Sequence, residues 1–273
     1  MKECTDYAYE VGPIRPPSEA ASLLLRVTRN CPWNRCKFCG VYKKTRFSVR
    51  PKEHVLKDID SIKMWTDWLK AAEAAGAQER KGLAERFFNK LDEEQSWVYS
   101  SAAHWYRNGM KSVFLQDSDS LVIKPDDLVD ILTYIRKQFP EIERITSYSR
   151  SETVARISDE NMKRIADAGL NRIHIGMETG SNVVLKLVDK GTTKEKHIIA
   201  GRKVKAAGIE LSEYFIPGLG GNEYSELNAI ETADALNKIN PDYIRIRTLA
   251  VTQRGSLIED YRKGVFTRAN DTK

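Results

Sequence analysis

The chain has 273 residues, 41% hydrophobic and 30% charged, with a formal net charge of +6 and a pI near 9.0. This composition describes a soluble globular chain of one large domain, or one domain with additions, and excludes the disordered, fibrous and membrane-spanning classes. No run approaches the roughly 18 apolar residues of a spanning helix, no apolar signal core opens the chain, and the basic residues are dispersed. A cytoplasmic protein without a membrane partner is therefore expected; the mild positive charge permits a nucleic-acid partner, but no recognisable nucleic-acid module supports one.

Residues 1–21 include adjacent Pro16 and Pro17 and read as an extended N-terminal arm lying on the body of the protein. Ser22 to Thr28 is short and apolar, as a buried strand would be. Three of the four cysteines follow at once, as Cys31, Cys36 and Cys39, in a C-x4-C-x2-C spacing. In a reducing cytosol such thiols serve as ligands. Their number is informative. A closed structural zinc site takes four ligands, whereas a [4Fe-4S] cluster held by three cysteines leaves one iron free. The residues alone leave both open. The loop departs from the C-terminal end of its strand, the end that carries ligands in parallel α/β folds. Cys4 reads as an unpaired thiol, or else as a ligand to a second centre.

Residues 51–109 are too long for one βα crossover and read as a helical insertion after the first strand. Pro51 opens one helical run, from His54 to Leu69. A second spans about Lys81 to Arg107 and stops at Asn108-Gly109. Its aromatics, among them Trp97, Tyr99 and Trp105, read as core packing. A regular rhythm then sets in. Strands are expected at 112–116, 144–148, 172–177, 209–216 and 243–249, and helices at 125–139, 158–168, 182–187, 193–207 and 223–239. With the first, that makes six strands alternating with helices, the pattern of a parallel sheet with right-handed crossovers. Residues 250–273 are polar and show no closing helix, so the sequence is expected to continue past residue 273 or to have been shortened there.

In this order the features resemble the radical S-adenosylmethionine (radical SAM) superfamily, in particular its coproporphyrinogen-oxidase-like branch of iron–sulfur oxidoreductases. The matching stretches are the cysteine loop with Phe38 before its last cysteine, Ile175-Gly-Met-Glu178-Thr-Gly-Ser181, Lys190-Gly191-Thr192, Phe215-Ile-Pro-Gly218-Leu-Gly-Gly221 and the tail Gly255–Gly264. The resemblance implies an α/β fold, a partial (β/α)6 TIM-like barrel. Its core would cover residues 22–260, with the insertion at about 51–109 and a tail at 261–273. It also implies a [4Fe-4S] cluster on Cys31, Cys36 and Cys39, whose open iron binds S-adenosylmethionine (SAM). Reductive cleavage of SAM would then give a 5′-deoxyadenosyl radical that takes hydrogen from an unidentified substrate. A low-potential electron donor, flavodoxin-like or ferredoxin-like, is implied as partner. The alternative is a zinc or iron–sulfur module with a structural or regulatory role and no SAM cleavage.

The same resemblance suggests cofactor contacts. Phe38 would lie beside the adenine. Asp117, Ser118 and Asp119 stand where the family often has Gly-Gly-Glu and would accept hydrogen bonds from the methionine ammonium. Glu178 would accept from the ribose or the amino group, and Tyr214 would contact the ribose. Arg150, Lys190 and Arg247 are partners for the methionine carboxylate. Gly218 would let backbone approach the adenine closely. His174, on a strand with apolar alternates, reads as a satisfied core histidine. The family's usual spacing is C-x3-C-x2-C; the extra residue among Pro32, Trp33, Asn34 and Arg35 is expected to bulge outward without disturbing the sulfurs.

Overall fold

Short runs of β-branched and leucine residues, each ended by a polar loop, build one parallel sheet. The computed structural model describes residues 7–75 and 91–269. Its first strand is Leu23–Arg26 (β1), followed by the short pieces Thr28–Arg29 (β2) and Ser48–Val49 (β3). Two helices come next, Lys52–Ala74 (α1) and Glu93–Arg107 (α2). Ser112–Gln116 (β4), Pro125–Gln138 (α3) and Arg144–Ser149 (β5) follow, then the helices Ser151–Arg156 (α4) and Asp159–Asp167 (α5). Arg172–Glu178 (β6), Asn182–Leu187 (α6), Lys194–Ala206 (α7), Glu210–Phe215 (β7), Ser225–Ile239 (α8), Tyr243–Ile246 (β8) and Leu257–Arg262 (α9) complete the order.

The six main strands lie in sequence order, β1-β4-β5-β6-β7-β8, with every pairing parallel. This is the expected partial TIM-like barrel. β2 and β3 form a separate antiparallel ribbon, which two-residue strands do not announce in sequence. The last strand ends at Ile246 rather than Leu249, and the tail does hold a helix, α9. The expected second insertion helix is seen from Glu93 onward; residues 81–90 and Cys4 lie outside the described residues.

Local chemistry sets the helix starts. Ser158 accepts from the Asn161 N–H at 3.1 Å, and Asp92 with Gln95 makes a reciprocal capping box. Pro125 opens α3, where its missing N–H costs nothing. Asn240, left-handed at φ 52, ends α8 directly before Pro241.

Register divides the sheet into two faces. Leu23, Leu25, Val113, Leu115, Ile145, Ile173, Ile175 and Leu211 occupy one alternating set and are buried in the core with Ile59, Ile62, Trp105, Leu128, Ile131, Ile165, Val204 and Ile239 of the helices. Full burial of one such side chain contributes about 1.5–3 kcal/mol. The other set, Arg26, Gln116, Tyr148, His174, Tyr214 and Arg245, is polar or aromatic. A sheet with an apolar outer face and a polar inner one places any chemistry inside the barrel.

Residues 7–16 run along this inner side. Gln116 Oε1 accepts from the Gly12 N–H at 2.8 Å, and its Nε2 donates to the Ile14 carbonyl at 2.7 Å. Glu10 faces Arg26, Arg29 and Arg50. His174 is buried, as expected of a core histidine, and its Nε2 faces Glu19 Oε1 at 3.6 Å.

Candidate functional site

Residues at the C-terminal ends of the strands enclose a cavity of about 470 Å³. Cys31, Cys36 and Cys39 line it together with Phe38, Ser118, Arg150, Glu178, Lys190, Tyr214 and Arg247. Ten of the thirteen residues singled out in the sequence therefore meet there. Three do not. Asp117 is fully buried and accepts from Arg26 Nη2 at 2.8 Å, the Asn30 N–H at 3.1 Å and the Tyr42 hydroxyl at 3.0 Å. Asp119, also buried, accepts from the Ser149 hydroxyl, the Arg150 N–H and the Thr153 hydroxyl. Both carboxylates are consumed in holding the loop, which leaves neither for an ammonium. Gly218 sits in the turn Pro217–Gly220, away from the cavity wall, and an added Cβ there would meet Leu249 at 3.7 Å.

The cysteine loop begins after β2. Asn30 and Asn34 take left-handed conformations, φ 66 and φ 49, and so turn the chain tightly between the thiols. The Asn34 N–H points at Cys31 Sγ, 3.4 Å away. Of the four residues between Cys31 and Cys36, Arg35 is exposed while Trp33 is held against the protein. The indole of Trp33 docks on the turn after α6, with Nε1 donating to the Asp189 carbonyl at 2.6 Å. The guanidinium groups of Arg35 and Arg150 lie 4.7 and 5.2 Å from its ring centroid. The Lys37 N–H donates to the Val188 carbonyl at 2.9 Å and ties the loop to the same turn.

Electrostatics converge on Cys36. Burial pushes its thiol up, with Lys190 pulling the other way. Burial acts against the Lys190 ammonium, but Glu178 and Cys36 outweigh it and hold its pKa above the ordinary lysine value. Lys190 Nζ lies 3.2 Å from Glu178 Oε1 and 5.6 Å from the centroid of the Phe38 ring. Glu178 reaches this position from a register shift in β6 and a left-handed φ of 66.

Several cavity residues escaped the sequence reading: Ile14, Tyr42, Tyr148, Ser149 and the segment Thr248–Ala250. Tyr148 had a usable signal, because it sits at a strand end two positions before Arg150. Tyr42 and Ile14 had none, since long-range packing alone brings them in. Glu213 was also missed. Neither of its oxygens makes a hydrogen bond, and burial pushes its carboxyl far up, so it is held protonated on the helix-facing side of β7.

The donor set suits an iron–sulfur cluster. Among the described residues no three His, Cys, Asp or Glu side chains converge as ligands of one metal ion. The three cysteines instead share a cavity wall, as a cluster that spreads its ligands over separate irons requires. A structural zinc site, which draws four ligands onto one ion, is the less favoured reading.

Fold and thiol arrangement define an iron–sulfur enzyme core of the partial-barrel type. The sequence profile of the Radical SAM superfamily matches residues 98–233, and the chain belongs to that superfamily. Its cofactors are accordingly a [4Fe-4S] cluster and SAM. It is 31% identical to 4'-phospho-dehydrooxetanocin synthase of Priestia megaterium over 229 residues, 80% of this chain and 27% of that protein. Similarity extends to tRNA-2-methylthio-N(6)-dimethylallyladenosine synthase of Flavobacterium psychrophilum, at 23% identity over 72% of this chain and 36% of that one. In fold it is similar to the radical SAM methyltransferase TsrM from Kitasatospora setae (TM-score 0.60, 16% identity, 92% of this chain and 42% of that one). It is likewise similar to coproporphyrinogen III oxidase HemN from Escherichia coli (TM-score 0.52, 13% identity, 85% and 44%). The chain spans about a quarter to a third of the two curated relatives' length. No helix among the described residues is long and apolar enough to cross a membrane.

Proposed function

We propose that the chain is the catalytic core of a radical SAM enzyme that removes a hydrogen atom from a substrate bound in the 470 Å³ cavity. The observation that carries this reading is the shared wall on which three thiols, Glu178 and Lys190 stand at the C-terminal ends of parallel strands. Cys31, Cys36 and Cys39 hold the cluster. Together the cluster and SAM supply a low-potential electron, reductive C–S cleavage and hydrogen-atom abstraction.

The remaining roles fall to this chain's own side chains. Lys190 and Arg150 stand on the cysteine side, near Cys36 and Trp33 respectively, and offer positive charge to the methionine carboxylate. Glu178 has one oxygen on Lys190 and one left to accept from a ribose hydroxyl or the amino group. Ser118 lines the cavity and supplies a hydroxyl in place of Asp117 and Asp119. Phe38 packs against the apolar cluster that includes Val184, Leu219 and Leu257 and would offer a flat apolar surface to the adenine. Tyr148, Tyr214, Leu249 and Ile216 narrow the cavity and exclude water from the reacting carbon. Electrons arrive from a flavodoxin-like or ferredoxin-like donor. The reaction class, oxidoreductase or transferase, depends on the substrate.

Anaerobic reconstitution with iron and sulfide tests the reading. The reduced protein should show a cluster EPR signal that changes when SAM is added, and should release 5′-deoxyadenosine slowly. Serine at Cys31, Cys36 or Cys39 should abolish the cluster absorbance, while Cys4→Ser should retain it. One equivalent of bound zinc with no SAM cleavage would sink the proposal.

A further inference from the structure

One part of the cavity wall holds hydrogen-bond donors with nothing to donate to. Tyr214 is only 7% exposed and lines the cavity, and its hydroxyl has no hydrogen-bond partner within 3.5 Å, its nearest polar neighbour being the Tyr148 phenol. Arg247 follows β8, and its guanidinium lies over the Tyr214 ring at 5.6 Å. Its backbone N–H is anchored to the Phe215 carbonyl at 2.8 Å, which fixes where the side chain starts. No described carboxylate lies within 4.0 Å of that guanidinium. Tyr148 stands beside both, and burial pushes its phenol up, which keeps its proton in place as a donor.

Charge along the whole wall points the same way. Four cationic side chains, Arg150, Lys190, Arg247 and Arg254, line the cavity with a single carboxylate, Glu178. Glu178 is paired with Lys190, and Arg150 donates to the carbonyls of Lys190 and Gly191. SAM brings one more positive charge than negative, and a [4Fe-4S] cluster with three thiolates carries −1 oxidised or −2 reduced, so the two together come within one charge of neutral. The single carboxylate of SAM has Lys190 and Arg150 beside the cysteines. Arg247 and Arg254, both exposed residues of the cavity lining, are then left without a carboxylate partner.

Resting on the reading of this cavity as the SAM and substrate site, we infer that the substrate carries an acidic oxyanion group, a phosphate monoester or a carboxylate, seated on Arg247 and Tyr214. Such a group only accepts hydrogen bonds, so it satisfies the Tyr214 hydroxyl and the guanidinium together. Arg254 adds positive charge from the exposed side of the cavity. This assignment moves Arg247 from the methionine carboxylate, and Tyr214 from the ribose, to the substrate.

Anaerobically reconstituted, SAM-loaded protein is titrated calorimetrically with inorganic phosphate and, separately, with acetate. Wild type, Arg247→Gln, Arg247→Lys and Tyr214→Phe are compared, and the SAM-induced EPR change of the reduced cluster is recorded for each. Wild type should bind at least one anion saturably, and the preferred anion identifies the acidic group. Arg247→Gln should weaken binding roughly tenfold or more, and Tyr214→Phe about three- to tenfold. Arg247→Lys should keep part of the affinity, as a point charge without the planar fork. The EPR change should be the same in all four proteins. Binding of neither anion, or equal binding by Arg247→Gln, overturns the inference. So does an Arg247→Gln protein that binds the anion normally but loses the SAM-induced change, because that returns Arg247 to the methionine carboxylate. A wild-type spectrum indifferent to SAM is a different failure: it overturns the reading of the cavity itself and this inference with it.

Discussion

Replacing Gly191 by alanine should loosen the cysteine loop, and the structure gives the size of the effect. Gly191 has φ +69, and an added Cβ would lie 2.3 Å from Trp33 Cζ2 and 2.4 Å from Cε2. Gly208 has φ +82 and would meet nothing within 4 Å, so it isolates the backbone cost alone. That cost is about 1–2 kcal/mol for a non-glycine residue in the left-handed region. At position 191 the indole must also move. Its 2.6 Å hydrogen bond to the Asp189 carbonyl goes with it, at about 1 kcal/mol. So do its contacts with the two guanidiniums, each about 0.5–1 kcal/mol. Gly191→Ala should therefore cost about 3–5 kcal/mol against about 1–2 for Gly208→Ala. With about 3 °C of Tm per kcal/mol in a chain of this size, the expected losses are about 9–15 °C and about 3–6 °C. Calorimetric melting of the cluster-free protein measures both. Adding Trp33→Ala to Gly191→Ala should recover part of the difference, since the collision is then absent. Equal Tm losses for the two glycine variants would refute the argument that Trp33 is wedged on this turn.

Asp117→Asn should destabilise the protein by about 3 kcal/mol in urea titrations, because it leaves the Arg26 guanidinium facing an amide in a buried site. Lost SAM binding at unchanged stability would instead restore the cofactor role expected from the sequence. Stability should also fall as pH drops below neutral. Burial holds His197 and His174 below the ordinary imidazole range, His197 down to about 3. In the unfolded chain each takes up a proton near pH 6.5, so below that pH the unfolded state binds more protons and is favoured. The slope is at most about 1.4 kcal/mol per pH unit for each histidine. His197→Leu should therefore gain about 2 kcal/mol relative to wild type between pH 8 and pH 5; a difference that does not change with pH argues against a buried neutral His197.

The sheet was legible because its rules are local. Val113-Phe114-Leu115 or Ile173-His174-Ile175, set between capped helices, identifies a strand wherever it packs. The thiols were legible for the same reason, being three like residues within nine positions. The acidic loop after β4 was read by analogy of position, and of its three residues Ser118 lines the cavity while Asp117 and Asp119 do not. Whether Asp117 faces the cavity or Arg26 depends on a partner 91 residues away. Trp33 shows the same limit, since the turn that receives it lies 156 residues further on. Residues acting through long-range pairs are invisible to spacing, however clear the motif around them.

The tie between the cysteine loop and α9 bears on the order in which the site is assembled. The Leu257 N–H donates to the Lys37 carbonyl at 2.9 Å, and Lys37 pairs with Asp260, 223 positions later, at 2.8 Å. Phe38 completes the contact by packing in a small apolar cluster that includes Leu257 and Phe266. A ribosome therefore releases the three thiols long before it releases the wall that positions them. The wall around them closes only once α9 has emerged.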